Sequence, residues 1–307
     1  NKAVNLSTSG ADISGTANLD IVDIDGAANF AADVTFADGA DIITASAGTS
    51  NFRAGVNAGN SIASGGNYNV VVGDEAGTAL TTGDSNVAIG FEALKTEDTG
   101  GGNTAVGYQS LKTLNNASDT TFNTAIGYEA GEAITTGIAN TLVGARSGDA
   151  LTDADYNTVL GYVALSADTL GSQSTAVGYG ALSSQNFTSA TDTYNTAFGS
   201  LAGLSVTTGV RNTLIGGLAG DALTDADRNV ALGYAALSSD TLGSRSVAIG
   251  NSALFYQNFT SATDTYNIAI GDRAGNNVTT GVNNTLIGSL AGDALTDADK
   301  NVAIGYV

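Results

Sequence analysis

The sequence has 307 residues, with 30 acidic and 10 basic side chains, a formal net charge of −20, 41 Gly and no His, Cys, Pro, Met or Trp. The absence of His and Cys excludes Ser-His-Asp and Cys-His catalytic sites, thiolate or imidazole zinc sites and disulfides. The negative charge opposes binding to nucleic-acid phosphates and to anionic lipid head groups, so we expect no nucleic-acid partner.

Residues 1–68 differ from the rest of the chain and predict a short β-rich stem or connector. Apolar pairs such as Leu19 and Ile21, or Val34 and Phe36, alternate with Gly and Asp, and no longer period is present. The chain starts without Met and stops just after a new repeat begins, so we expect it to continue beyond both ends. No apolar run approaches the roughly 20 residues of a membrane-spanning helix, and we expect no membrane insertion of this segment.

Residues 69–307 form a repeat. The hexapeptide SNVAIG at 85–90 returns as RSVAIG at 245–250 and as KNVAIG at 300–305. Fourteen copies align on a closing glycine at steps of 17 residues, lengthened by three or four residues at every fourth step. Residues 145–216 and 217–288 are near copies, which gives a super-repeat of 72 residues. The closing glycines are Gly73, Gly90, Gly107, Gly127, Gly144, Gly161, Gly178, Gly199, Gly216, Gly233, Gly250, Gly271, Gly288 and Gly305.

Each unit predicts a strand, a bend, a second strand and a turn. Before the glycine, Thr or Val and then Ile, Val, Leu or Phe flank a central residue that is usually Ala, which is the period-two pattern of a strand. A second apolar patch such as YEAG follows, and then a turn rich in Thr, Gly and Asp. Units stacked at about 4.8 Å would bury their apolar faces in a solenoid roughly 62 Å long. The predicted fold class is therefore all-β, a parallel β-solenoid over 69–307.

The units SNVAIG, RSVAIG and NTAVG, each followed by Ala and Gly, resemble the head repeats of trimeric autotransporter adhesins of the YadA type. The resemblance covers about residues 69–307 and implies a left-handed parallel β-roll, with three chains side by side around one axis. The 17-residue unit is longer than is usual in those adhesins, and the inserted QNFTSATDTYN loops are not part of their common pattern. With these departures and the stem, the chain looks more similar to fibre or appendage proteins of tailed phages, especially marine ones.

A parallel homotrimer is also favoured by the central residue of each predicted strand, which is small or apolar. We expect these residues to form a flat strip on the outer face of the solenoid, where the three chains pack. The predicted trimer-packing residues are Ala88, Ala105, Ala125, Leu142, Ala176, Leu214, Ala231, Ala248, Ala269, Leu286 and Ala303.

The sharpest polar pattern is D-x-D-x-N, which occurs as DADYN, DADRN and DADKN. Oxygen ligands at this spacing are typical of calcium loops, but the Gly and Glu of an EF-hand are missing, and Arg228 and Lys300 lie inside two of the segments. The alternative, which we prefer, is an Asp-rich turn whose carboxylates cap backbone amides. We therefore expect no cofactor, and calcium is the one ion that the pattern would admit. Its candidate ligands are Asp153, Asp155, Asn157, Asp225, Asp227, Asn229, Asp297, Asp299 and Asn301.

An aromatic residue follows the closing glycine in many units. Such a row suits either stacking on sugar rings or an aromatic ladder between successive strands, and we prefer the ladder. The row consists of Phe91, Tyr108, Tyr128, Tyr162, Tyr179, Tyr234 and Tyr306.

Three inserted loops, at 113–123, 183–195 and 255–267, are expected to protrude from one edge at every fourth turn. The residues in them that we expect to contact a partner are Phe187, Tyr194, Phe259 and Tyr266. The alternative, which we prefer, is a tolerated surface insertion that duplication has copied.

These patterns predict a structural virion protein rather than an enzyme: the shaft or spacer of a trimeric phage fibre or appendage that contributes to host-cell attachment. The expected partners are further copies of the chain, other virion or surface structural proteins, and a host-cell glycan or receptor. The expected location is the virion or the extracellular space. One alternative is the head of a bacterial trimeric adhesin on the cell surface. Another is a tailspike glycosidase, which would need only Asp and Glu, although here the acidic residues lie in the repeated turns.

Overall fold

The computed structural model describes residues 46–118 and 120–307. Residues 1–45, which make up most of the predicted stem, lie outside this range. The described part consists of strands and turns without an α-helix, so the all-β prediction is confirmed for it. Consequently none of its segments is a helix long and apolar enough to cross a membrane.

Fifteen of the nineteen strands in the described part of the chain form one parallel sheet, in which each strand pairs with the next strand of that sheet along the chain. Pairing is in register, so Val87 lies beside Thr104 and Ile89 beside Val106. At about 4.8 Å per strand, the sheet is about 67 Å long, and the predicted parallel β-solenoid is confirmed. In chain order the strands are β1 Phe52–Ala54, β2 Val70–Val72, β3 Val87–Ile89, β4 Thr104–Val106, β5 Thr124–Ile126, β6 Thr141–Val143, β7 Thr158–Leu160, β8 Gly171–Ser172, β9 Thr175–Val177, β10 Thr191–Asp192, β11 Thr196–Phe198, β12 Thr213–Ile215, β13 Val230–Leu232, β14 Gly243–Ser244, β15 Val247–Ile249, β16 Thr263–Asp264, β17 Ile268–Ile270, β18 Thr285–Ile287 and β19 Val302–Ile304.

The roll begins one turn before the predicted boundary at residue 69. Strand β1 pairs in register with β2, and Gly55 has a φ of 133°, in the range of the closing glycines. The sequence signal is weak here because Arg53 occupies the strand centre, where later turns have Ala, Val or Leu. Its Nε donates a hydrogen bond to Ala58 O at 2.7 Å. Residues 52–68 are therefore the first turn of the solenoid.

The second strand predicted in every unit is replaced by a tight turn in most of them, so that prediction is wrong. Left-handed residues recur after the closing glycine, for example Glu92 at φ 53° and Leu94 at φ 51°, and they interrupt an extended chain. In the described range, short second strands form only beside the two 21-residue steps, where β8 pairs with β10 and β14 with β16.

The core is a narrow column in which a large side chain on the strand faces a glycine on the turn. Leu214 at the centre of β12 packs so closely that a Cβ added to Gly203 or Gly220 would lie 2.8 Å from its methyl groups. In the following turn the strand centre is Ala231, and Leu237 stands at the position of Gly220. Some units thus have the large residue on the strand and the small one on the turn, and others have the reverse. Either arrangement fills the interior.

A buried ladder of asparagines joins successive turns. Asn195 Oδ1 accepts from the backbone N–H of Asn212, and Asn212 Oδ1 accepts from that of Asn229, both at 2.9 Å. Asn212 Nδ2 also donates to Ala226 O at 2.7 Å, across its own turn. Each rung thus satisfies backbone groups that would otherwise be buried without partners. The rungs are Asn51, Asn69, Asn86, Asn103, Asn123, Asn140, Asn157, Asn195, Asn212, Asn229, Asn267, Asn284 and Asn301.

The ladder is interrupted at Ser174, and residues from the following long step repair it. Gln185 Nε2 donates to Ser174 Oγ at 2.9 Å, and its Oε1 accepts from Asn195 Nδ2 at 2.8 Å. The same Nε2 bonds to the buried carboxylate of Asp168. Thr193 Oγ1 lies 2.6 Å from Ser174 Oγ and accepts from Asn195 N at 3.4 Å. The extra residues of this step therefore supply polar groups to the core.

Candidate functional site

The outer face of the main sheet carries a continuous column of apolar side chains. From β2 onward, the last residue of every strand in this sheet is Val, Ile, Leu or Phe. Ile126, Leu160 and Phe198 in this column are 41%, 47% and 57% exposed. Because pairing is in register, these side chains form one apolar stripe along the solenoid, a feature typical of an association surface. We call it the outer column.

The residues predicted to pack in a trimer lie on the other side of the same strands, and this prediction is wrong. They are buried in the core of a single chain and cannot contact another one. Period-two alternation shows that one face of a strand is buried but does not tell which, and here the small side chains fill the narrow interior. The residues concerned are Ala88, Ala105, Ala125, Leu142, Ala176, Leu214, Ala231, Ala248, Ala269 and Leu286, all 0% exposed, and Ala303, which packs partly buried in the last turn.

The aromatic residues after the closing glycines form a broken ladder. Phe91, Tyr108 and Tyr128 stack with centroids 5.4 and 5.0 Å apart. Tyr162 stacks on Tyr179 at 6.0 Å, with ring planes 2° apart. The ladder interpretation is confirmed for these five residues, whereas Tyr234 and Tyr306 lie outside the two stacks. Stacking covers ring faces, and the Tyr128 side chain also hydrogen-bonds to Glu129.

The first D-x-D-x-N segment makes hydrogen bonds between turns. Asp153 Oδ1 accepts from Thr136 Oγ1 at 2.6 Å, and Asp155 Oδ1 accepts from Ile138 N at 2.8 Å. Asn157 is buried as a rung of the asparagine ladder. The alternative interpretation, a carboxylate that caps a backbone amide, is therefore confirmed for Asp155.

The second and third segments follow the same plan. Asp227 and Asp299 cap the amides of Val210 and Val282, both at 2.8 Å. Within residues 46–118 and 120–307, no three acidic side chains lie close enough together to hold a metal ion. Calcium binding stays a prediction to which this geometry adds no support. The remaining predicted ligands are Asp225, which accepts from Thr208 Oγ1, the ladder rungs Asn229 and Asn301, and the exposed Asp297.

The inserted loops present only half of the residues predicted to meet a partner. Phe187 and Phe259 are 6% and 7% exposed, so their prediction as contact residues is wrong. Each lies two residues after a buried glutamine, on the same side of the chain, and its backbone N–H donates to a buried carboxylate, Asp168 for Phe187 and Asp240 for Phe259. Tyr194 and Tyr266 are 48% and 50% exposed and remain candidates. Tyr266 carries Arg245 above its ring at 5.6 Å, a cation–π contact.

Two carboxyl groups have a raised pKa, and both owe it to burial. Desolvation raises the pKa of Glu97, against hydrogen bonds from the backbone N–H of Gly100 and Asp98. Desolvation likewise raises the pKa of Asp149. The two lie three turns apart, which is about 14 Å at strand spacing, whereas paired glycosidase carboxylates lie roughly 5–9.5 Å apart. They do not form such a pair.

A surface ion-pair network links four successive turns near the start of the roll. Lys95 lies 2.5 Å from Glu75 and 2.6 Å from Glu92, and Lys112 lies 3.2 Å from Glu92. The hydrogen bond from Lys95, followed by those from Gln109 and Lys112, lowers the pKa of Glu92 from 4.5 to about 2 against the opposing effect of burial. The carboxylate form of Glu92 is thus stabilised by folding.

We expect Glu92→Gln to destabilise the protein near neutral pH and to have little effect near pH 2. The folded-state pKa lies below the unfolded one, so the stabilisation is complete above pH 4.5 and is lost as the pH falls through about 2. Thermal melting of both proteins from neutral to acid pH measures this, and added salt should shrink the difference. Glu132→Gln is the control, because the ion pair of Glu132 with Lys112 is longer, at 3.7 Å, and therefore weaker. A difference as large at pH 2 as at neutral pH would contradict the assignment.

These features define a parallel β-solenoid whose surface properties recur from turn to turn. Comparison with known proteins gives no relative: no protein-family model, curated protein or solved structure matches the chain significantly.

Proposed function

We propose that the chain is a structural protein, the shaft or spacer of a trimeric fibre or appendage that contributes to attachment to a host cell. The observation that supports this most directly is the outer column. A continuous apolar stripe of this length, next to the Thr and Val side chains that begin most of the same strands, suits association with a like surface along the same axis.

The distribution of charge supports association through the outer column. Each chain carries a formal charge of −20, so copies of it repel one another wherever their acidic surfaces meet. The strands of the main sheet from β2 onward contain no charged residue. In the described part of the chain the Asp and Glu side chains lie in the turns, apart from Asp192 and Asp264 in the short strands β10 and β16. Contact through the sheet face therefore brings uncharged groups together and keeps the acidic turns outside.

The threefold arrangement is taken from the resemblance to trimeric adhesin heads and tailed-phage fibres. Three parallel rolls would present each inserted loop, with Tyr194 and Tyr266, three times at one level. Several weak contacts at an effective millimolar local concentration hold a cell far better than one. The proposed mechanism is thus rigidity combined with multivalent display.

Light scattering of the intact chain tests the proposal, with an expected mass of three times 30.4 kDa. The variant Ile126→Lys/Leu160→Lys/Phe198→Lys should shift the mass to that of the monomer, because it places charge in the centre of the outer column. The three side chains are exposed in the single chain, so the roll should still fold.

A matched control adds the same charge elsewhere on the surface. Thr188→Lys/Ser189→Lys/Ala190→Lys changes three exposed residues of an inserted loop and should leave the trimer intact. A monomeric wild-type chain would contradict the proposal, as would an outer-column variant that stays trimeric. A dimer would contradict the threefold arrangement.

A further inference from the structure

The two 72-residue blocks can be compared with each other, because both form turns of the same roll and differ only in sequence. Residues 145–216 and 217–288 differ at 22 positions. Eight of these fall in two successive turns of the second block and stack on one another at strand spacing. These eight are Asn251, Ser252, Phe255, Tyr256, Asp272, Arg273, Asn276 and Asn277.

Exposure alone does not decide where the two blocks differ. The tips of the inserted loops are exposed as well, yet residues 186–195 and 258–267 are identical in the two blocks. The substitutions also share a direction, with the exception of Tyr179, which becomes Asn251. Ser183 and Ser184 become Phe255 and Tyr256, and small or aliphatic residues of the next turn become Asp, Arg and Asn. One surface patch has thus acquired aromatic and hydrogen-bonding groups while the core beneath it is unchanged.

The aromatic pair forms a ridge between two depressions. The rings of Phe255 and Tyr256 meet edge to face, 4.8 Å apart at 85°, and Tyr256 is 51% exposed. On one side lies a groove of about 810 Å³ that Tyr256 lines together with Asn277 and Thr296. On the other side lies a smaller depression of about 300 Å³, lined by both aromatic residues, Ser252, Arg273 and Asn276.

Hydrogen bonds within the patch hold its polar side chains in place. Asn251 Nδ2 donates to Asp272 Oδ1 at 3.0 Å, and Asn276 Nδ2 donates to Ser252 O at 3.1 Å. Asn277 Nδ2 donates to Asp293 O at 2.7 Å. Each amide uses its donor group within the protein and keeps its oxygen for another donor. Fixed polar groups lose little conformational freedom when a ligand binds.

We propose that this patch binds a neutral oligosaccharide. A sugar ring has an apolar C–H face, which suits an exposed aromatic ring, and a rim of hydroxyls that both donate and accept. In the patch, the Tyr256 ring would contact the apolar face of the sugar. The Asn277 amide oxygen and the Arg273 guanidinium would bond to its hydroxyls. A charge of −20 on the whole chain disfavours acidic polymers. The combination of aromatic surface with a few placed polar groups is typical of small-ligand sites.

The inference rests on the proposed attachment role for its biological purpose, but the site lies within one chain and can be tested separately. Saturation-transfer NMR would probe the intact chain with short neutral oligomers of glucose, galactose, mannose and N-acetylglucosamine. The variant Phe255→Ser/Tyr256→Ser restores the residues that the first block carries at Ser183 and Ser184, so the fold accommodates it. We expect at least one oligomer to bind, and this variant to bind it at least about tenfold more weakly.

The control is Tyr156→Ser, which removes a similarly exposed tyrosine from a distant turn and should leave binding unchanged. The inference is overturned if no oligomer binds the intact chain, if the double variant binds as well as the wild type, or if Tyr156→Ser has the same effect. Light scattering of the same samples separates the two proposals. A monomer that binds sugar contradicts the trimeric shaft alone, and a trimer that binds none contradicts the sugar site alone.

Discussion

Replacing Gly216 with Ala should destabilise the roll by about 3 kcal/mol or more, whereas the same change at the adjacent Gly217 should cost less than about 0.5 kcal/mol. Gly216 closes a repeat with φ 130°, a conformation that residues with a Cβ rarely adopt. A Cβ there would lie 2.4 Å from Gly233 O and 2.6 Å from Gly233 C in the next turn. Backbone atoms cannot move away as a flexible side chain can, so the two turns would have to separate.

Gly217 is the matched control because it shares the same turn and a similar degree of exposure without either constraint. Its φ lies outside the left-handed region, and a Cβ would meet Tyr234 at 3.6 Å, an ordinary contact distance. Gly305→Ala separates the two causes, since Gly305 has φ 141° but no atom within 4 Å of the added Cβ. We expect it to show the conformational cost without the clash.

Urea unfolding gives the loss of stability, and amide hydrogen exchange shows where it acts. In a solenoid each turn contacts its neighbours alone, so protection should fall in the turns that flank Gly216 and remain in distant ones. Equal effects of the Gly216 and Gly217 variants would show that the closing glycines are not required by the stacking of turns.

The period of the fold was readable from the sequence because it is enforced at one position in every turn. The backbones of closing glycines such as Gly90 and Gly107 stack so closely that a side chain does not fit. Glycine therefore recurs at the same position in every turn and marks the period. The first turn was missed for the converse reason. Gly55 keeps the glycine, but Arg53 replaces the small residue that marks the strand centre.

The sequence did not show which face of each strand points into the core. Alternation in a three-residue strand such as β5 gives one central and two flanking residues, and the large apolar flanks look like a core. The interior is too narrow for them, because each turn is only 17 residues long and the turn also contributes a side chain such as Leu111 or Ile134. Ala125 fits inside, and Ile126 lies outside.

The roles of polar residues depended on contacts one turn away. Asp155 and Asn157 are two residues apart in a pattern that suggests a metal loop, yet one caps an amide 17 residues earlier and the other continues a buried ladder. Gln185 lies in what looks like a surface insertion, but it reaches Ser174 across the core. Spacing along the chain does not reveal such contacts. They become visible only when the register between neighbouring turns is known.

The asparagine ladder leads to the second large effect: Asn212→Ala should cost about 2–5 kcal/mol, while Asn301→Ala should cost less than about 1 kcal/mol. Without the Asn212 side chain, the N–H of Asn229 and the C=O of Ala226 lose their partners in a fully buried site. Each unsatisfied buried group costs about 1–3 kcal/mol. Asn301 is the partly exposed last rung, and its Nδ2 bonds to Asn284 Oδ1 and Asp299 O.

Denaturant unfolding of the two variants under the same conditions measures the contrast. Asn284 Oδ1 still accepts from the backbone N–H of residue 301 in the Asn301 variant, so no buried group is orphaned there. A further variant, Asn212→Ser, copies the residue found at Ser174 but lacks the repair by Gln185, and it should be nearly as unstable as Asn212→Ala. If Ser at 212 were tolerated, the buried glutamine of the long steps would not be a structural substitute for the missing rung. Those steps would then be plain insertions, and the near identity of the two inserted loops would need an explanation outside the core.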